Sequence, residues 1–185
     1  MTRIDSRDAL TEALRAGTRV KYLHFWGHRP RPDGSVGAGC LSQWWPAPFT
    51  VEGVEYATAE HWMMAAKARL FADAEAERRV LASAHPAQAK KAGRLVRDFD
   101  EVTWERERFG IVVEGSVHKF AAHDGLRAFL LGTGERVLVE ASPVDRVWGI
   151  GLAADDERAG DPGQWRGPNL LGFALMAARE RLRAG

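Results

Sequence analysis

The sequence is poor in the residues that build covalent or metal-held frames. Its 185 residues include one cysteine, Cys40, so no intramolecular disulfide can form and no thiolate cluster can hold a metal. The six histidines are scattered. Only His24 and His28 stand four apart, in a strand-to-loop stretch where that spacing does not converge, and His118 and His123 diverge by angle on one helix. Neither a metal nor a redox cofactor is expected. Long apolar runs are also missing, and a bilayer span needs roughly 20 such residues, so no membrane association is expected. The opening residues Met1 to Asp8 carry acids without an apolar stretch, which reads as no secretory leader and a cytoplasmic location. Charge of one sign is not in excess: 26 Lys and Arg face 25 Asp and Glu, and a formal net charge of +1 removes any general electrostatic argument for wrapping nucleic acid.

What is present is ordinary globular material, 45% hydrophobic and 28% charged, with seven Trp against two Tyr. Ser6 to Arg15 reads as a short helix closed by Gly17, and Arg19 to Trp26 as a strand. Gly27 to Gly39 is dense in Gly and Pro and reads as a loop. Phe49 to Tyr56 has the signature of a small hairpin turning at Glu52-Gly53. Thr58 is the expected N-cap of a helix running to about Phe71. Further helices are expected at Ala74 to Ala82, Pro86 to Val96 and Glu101 to His123, with a separate short one ending at Leu131. Arg136 to Glu140 reads as a strand, Ala141 to Pro168 as a loop, and Leu170 to Leu182 as a last helix capped by Asn169. Helices dominate and strands are few, so the expected class is α+β in a single, mainly helical domain. Residues 1–20 form an N-terminal helical extension to a domain over 21–185.

Some motifs dissolve on inspection. Gly149-Ile-Gly151-Leu-Ala-Ala154 matches a dinucleotide-binding turn, but Asp155 to Pro162 offers no apolar helical face, so no such turn is expected. Cys40 reads as a small buried residue, not a nucleophile. Three segments hold more. Glu60, Met64 and Lys67 recur at i, i+4 and i+7 and share one helix face. That face reads either as a surface ion pair or as an acid and an amine at the edge of an apolar pocket, with Glu60 in the first turn where the dipole favours its ionised form. Asp145 to Gly149 follows a strand, where loops often carry site residues. Lys90, Lys91 and Arg94 place three cations on one and a half turns, either a phosphate cradle or a solvated helix end.

The order of these segments resembles a known family. Phe25-Trp26 is followed by Gly39-Cys-Leu-Ser-Gln43, the hairpin, Ala57-Thr-Ala-Glu-His61 and Ala66-Lys67. Then come Ala89-Lys-Lys-Ala-Gly-Arg94, Trp104, Asp145-Arg-Val-Trp-Gly149 and Gly167-Pro-Asn-Leu-Leu-Gly172. From about Tyr22 to Leu182 this is similar to the NADAR family of YbiA-like N-glycosidases. The resemblance implies hydrolysis of an N-glycosidic bond, either in ribosylamino-pyrimidine phosphates of early riboflavin synthesis or in ADP-ribosylated guanine of DNA. It implies catalytic roles for Glu60, Lys67 and Asp145. It also implies substrate contacts from Trp26, Ser42, Gln43, Lys91, Arg94, Trp104, Trp148, Gly149 and Asn169. The family commonly has Ser-Asn where this chain has Ser42-Gln43. A non-catalytic ADP-ribose or nucleotide-binding module is the competing expectation, with a phosphorylated ribosyl or ADP-ribosyl ligand in either case.

Trp104 and Trp148 are the aromatic faces expected to stack a departing base, which is worth about 1–3 kcal/mol per base. For Trp62 the expectation is core packing, because Met63 and Ala66 beside it read as buried.

Overall fold

A computed structural model describes residues 4–185. Met1 to Arg3, part of the stretch read as lacking a leader, lie outside the described residues. The class is α+β, with seven α-helices and four short strands among the described residues. No helix among them is long and apolar enough to cross a membrane. The chain forms two compact units, one of residues 4–42 with 128–185 and one of residues 43–127, so the second is inserted in sequence within the first.

In the first unit, α1 (Arg7–Arg15) starts at Ser6, whose side chain accepts the Ala9 N–H. β1 (Tyr22–Phe25) pairs in parallel with β4 (Val137–Glu140), Tyr22 opposite Val137 and Phe25 opposite Glu140. The final helix α7 (Leu170–Ala184) packs on β4, and its Leu171, Phe173, Ala174, Leu175 and Ala178 are buried. Gly172 allows the approach, since a Cβ there would run into the Leu138 carbonyl and the Asn169 amide. The strand expected over Arg19 to Trp26 is shorter at both ends. Its ladder opens with the Val137 N–H on the Lys21 carbonyl and closes with the Ala141 N–H on the Phe25 carbonyl.

In the second unit, β2 (Phe49–Val51) and β3 (Val54–Tyr56) form the hairpin, with Glu52 and Gly53 both at positive φ as a type I′ turn requires. α2 (Ala59–Leu70) begins at the expected Thr58 cap. α3 (Ala74–Leu81), α4 (Pro86–Gly93) and α5 (Glu101–Ala121) surround it. Trp62 is core, as expected: it is buried, donates its indole N–H to the Ile111 carbonyl at 2.9 Å, and meets Tyr56 edge-on and Phe49 obliquely.

Helix α4 stops three residues short of the expected Val96. The Asp73 carboxylate takes the Arg97 N–H at 2.9 Å and also grips its guanidinium, drawing the chain out of the helical path. That ion pair and three hydrogen bonds hold the Asp73 carboxyl far below the usual carboxylate range. α6 (Asp124–Gly132) contains the boundary between the units.

Candidate functional site

The residues singled out in the sequence fall into two sets, one in each unit. In the helical unit, Glu60 occupies the first turn of α2 and is only 3% exposed, which excludes the surface ion pair. Its backbone N–H donates to the carbonyl of buried Gln43 at 3.0 Å, so the chain entering the unit is tied to that turn. The next residue, His61, locks the cap. Its Nε2 faces the Ser83 carbonyl at 3.0 Å, and a carbonyl only accepts, so Nε2 carries the proton. Nδ1 is then an acceptor for the Thr58 hydroxyl at 2.8 Å. Burial lowers the His61 pKa, with the Ser83 bond opposing.

Seven residues along α2, Lys67 is half-buried with its Nζ 4.1 Å from the centre of the Phe99 ring and 5.4 Å from that of Trp104. Burial is the main cause that pulls the amine below the ordinary lysine range; Arg94 adds to this and Glu101 opposes it. Glu101, an acid outside the helix face that Glu60 and Lys67 share, thus acts on Lys67. Phe99, Trp104 and Glu101 arrive together because Asp100 caps α5. With that cap, Phe99 and Trp104 hold the positions on either side of the first turn that a hydrophobic staple uses. The motif reading missed Phe99 and Glu101, although the cap and staple pattern was available in the sequence. The basic run divides: Arg94 acts on Lys67, whereas Lys91 lines a depression of about 340 Å³ with Arg79, Ser83, Gln88 and Leu95.

In the first unit the second set gathers where the parallel strands end. Trp26 follows β1 and is 62% exposed, and Ser42 ends a 3-10 turn at Ala38–Leu41, half-buried. After β4, Asp145 Oδ1 accepts the N–H groups of Val147 and Trp148, both at 2.8 Å, while its own N–H donates to Ser142 Oγ at 3.2 Å. The carboxylate thereby shapes the turn that presents half-buried Trp148. Gly149 is buried under the Glu140 and Asp145 carbonyls, at 2.8 and 3.2 Å from where a Cβ would stand. The segment is fastened to the start of α7 by the Leu171 N–H on the Trp148 carbonyl and the Asn169 N–H on the Gly149 carbonyl.

Asn169 differs from its expected role as a helix cap. It is fully buried at φ 59°, and its side chain makes no capping bond. Its Oδ1 instead accepts the Glu140 N–H at 2.9 Å and its Nδ2 donates to the Leu138 carbonyl at 2.8 Å. Gly149-Ile-Gly151 leads into 3-10 turns at Glu157–Gly160 and Pro162–Gln164, consistent with rejecting a dinucleotide fold, and Cys40 is buried.

The NADAR domain model matches residues 24–183, which takes in both sets of residues. The chain belongs to the NADAR family. A protein of Acanthamoeba polyphaga mimivirus named as an N-glycosidase is 39% identical over 165 residues, spanning 86% of this chain and 95% of that protein. An N-glycosidase of Nostoc punctiforme is 32% identical, spanning 78% of this chain and 86% of its own length. The solution NMR structure of the Escherichia coli protein YbiA superposes on this NADAR chain with a TM-score of 0.71 at 27% identity, covering 90% of this chain and 88% of that one.

Proposed function

We propose that this NADAR protein is an N-glycosidase that hydrolyses the bond between C1′ of a phosphorylated ribosyl or ADP-ribosyl group and a nitrogenous base or amine. The observation that carries the reading is its likeness, over most of its length, to proteins named as N-glycosidases. The substrates are a ribosylamino-pyrimidine phosphate or ADP-ribosylated guanine. The near-neutral charge favours the small molecule, because an enzyme acting on DNA usually presents a basic surface.

Breaking the C1′–N bond builds oxocarbenium character on the ribose, so the reaction needs a carboxylate, a proton for the leaving nitrogen and a positioned nucleophile. Glu60 takes the proton of the attacking water or holds the ribose hydroxyls. Its place in the first turn of α2 sets its carboxyl at the positive end of that helix. Asp145 stabilises developing charge through the oxygen that does not serve its turn, and Trp148 offers a face for the departing base. Arg94 supplies charge for phosphate. Lys67 has two candidate roles: a cation beside its aromatic neighbours, or an amine that attacks C1′ of the ring-opened sugar, expels the base as the C1′–N bond breaks, and leaves a Schiff base that water hydrolyses. Burial supports the second, since it favours the neutral form that such an attack requires.

The test is to incubate the purified protein with ADP-ribosylated guanine DNA and with a ribosylamino-pyrimidine phosphate, and to read free sugar by mass spectrometry. Release from either supports the reading. Binding of both without release identifies a non-catalytic module instead. Borohydride added during turnover separates the roles of Lys67, because only a Schiff base is trapped as a stable adduct.

A further inference from the structure

The parallel pair has a second end. Trp26 and the Asp145 to Gly149 segment leave the C-terminal ends of β1 and β4, whereas Lys21 and Arg136 enter at the N-terminal ends. At that opposite end, still within the first unit, lies a cavity of about 700 Å³. Its lining includes Arg19, Lys21, Arg136 and Arg179 together with Thr133 and Met176. The Val137 N–H donates to the Lys21 carbonyl at 2.9 Å, so Lys21 and Arg136 lead into the two strands side by side, and Arg19 two residues back lines the same cavity.

Three of the four cations that line this cavity, Arg19, Lys21 and Arg136, are exposed and form no ion pair among the described residues. Arg179 is only 2% exposed, an unusual place for a guanidinium. Its Nη1 donates to Thr133 Oγ1 at 2.7 Å and to the Arg136 carbonyl at 3.0 Å, both uncharged acceptors. Its Nε has no hydrogen-bond partner among the described residues. Of the acids in the lining, Glu135 is paired with Arg183 at 2.7 Å, and Glu180 follows Arg179 in the chain. Burial, the larger cause, and the neighbouring Arg183 lower the Arg179 pKa, while Glu135 and Glu180 oppose them. Val20, Val137 and Met176 add an apolar wall, and the volume lies in the range of small-molecule sites.

We propose that this cavity is a second ligand site, separate from the Asp145 segment, that binds a small organic phosphate: phosphate on Arg19, Lys21 and Arg136, organic body against Val20 and Met176. The site does not rest on the proposed glycosidase reaction and is tested without it.

The probes are adenosine 5′-monophosphate and inorganic phosphate, titrated into ¹⁵N-labelled protein. The nucleotide is expected to shift the amide signals of Lys21 and of Gly134 to Val137. Reversing both exposed charges, Lys21→Glu with Arg136→Glu, should weaken its binding about tenfold or more while the melting temperature holds. If that pair unfolds the protein, Arg19→Glu makes the same test from a residue outside the ladder. No shift at those amides, or a shift that survives charge reversal, overturns the site. Inorganic phosphate binding as tightly as the nucleotide overturns the organic ligand.

Discussion

The candidate site residues of the two units are held by different means. In the helical unit, Glu60, His61 and Lys67 ride on one regular helix, and burial is the main cause of the pKa shifts of His61 and Lys67. In the unit of the parallel strands, Asp145 sits on an irregular loop, and backbone N–H groups hold its carboxylate in place. A helix has no backbone donors to spare beyond its first turn, so a charge there is tuned by what packs around it. A loop has donors in abundance, so a carboxylate there can organise the chain that carries it. Each arrangement has its own weak point, and substitutions can expose it.

The largest effect is expected on the helical side. Glu60→Gln keeps the shape and removes the charge, and cleavage should fall by roughly 10²–10⁴-fold, the range for losing a proton-transfer group, with the circular dichroism spectrum unchanged. Retained sugar release would remove Glu60 from the reaction. Next comes Lys67→Arg, which keeps a cation near Phe99 and Trp104 but loses the amine. On the amine role, activity should drop about 10²-fold or more, and the wild-type rise in rate as pH climbs toward the lowered Lys67 pKa should vanish. A variant that keeps both rate and pH profile would leave Lys67 only its charge.

In the unit of the parallel strands two amide and carboxylate changes sharpen the contrast. Asn169→Ala takes the side-chain partner from the Glu140 N–H and the Leu138 carbonyl, and should cost about 2–6 kcal/mol by chemical denaturation at roughly 1–3 kcal/mol per orphaned group. Asp145→Asn retains the Oδ1 acceptor for Val147 and Trp148, so stability should change by less than about 1 kcal/mol. A fall in activity would then report the lost charge alone. Marked unfolding would show instead that the turn needs a full carboxylate.

The smallest expected effect is a slope. His61 has a folded pKa below its ordinary value, so the unfolded chain binds the proton more readily. Stability should be full above about pH 6.5, the unfolded value, and decline as pH falls through that value toward the lower folded one. His61→Gln should flatten that part of the stability-versus-pH curve. A curve that keeps its slope would assign it to another group.

Local signals carried much of this molecule. Ser6, Thr58 and Asp100 are side chains whose capping chemistry needs only their near neighbours, and each starts a helix as such residues should. The Glu52-Gly53 turn is local as well, and Trp62 lies in the core where its apolar neighbours put it. Legibility failed where a distant partner intervened. Asp73 ended α4 early from 24 residues away, and Asn169, whose position before α7 resembles a cap, turned its amide to β4. The shared helix face of Glu60 and Lys67 was readable, yet a charge that acts on Lys67 came from the start of another helix.

The sequence by itself determined the α+β class, the helix starts and the family, because capping, periodicity and motif order are properties of neighbouring residues. Only the tertiary structure decided which charges feel burial and which are held by backbone, and only it brought Phe99, Glu101 and Arg94 to Lys67. Desolvation and cross-chain contacts depend on what packs from far along the chain, and no local pattern contains that.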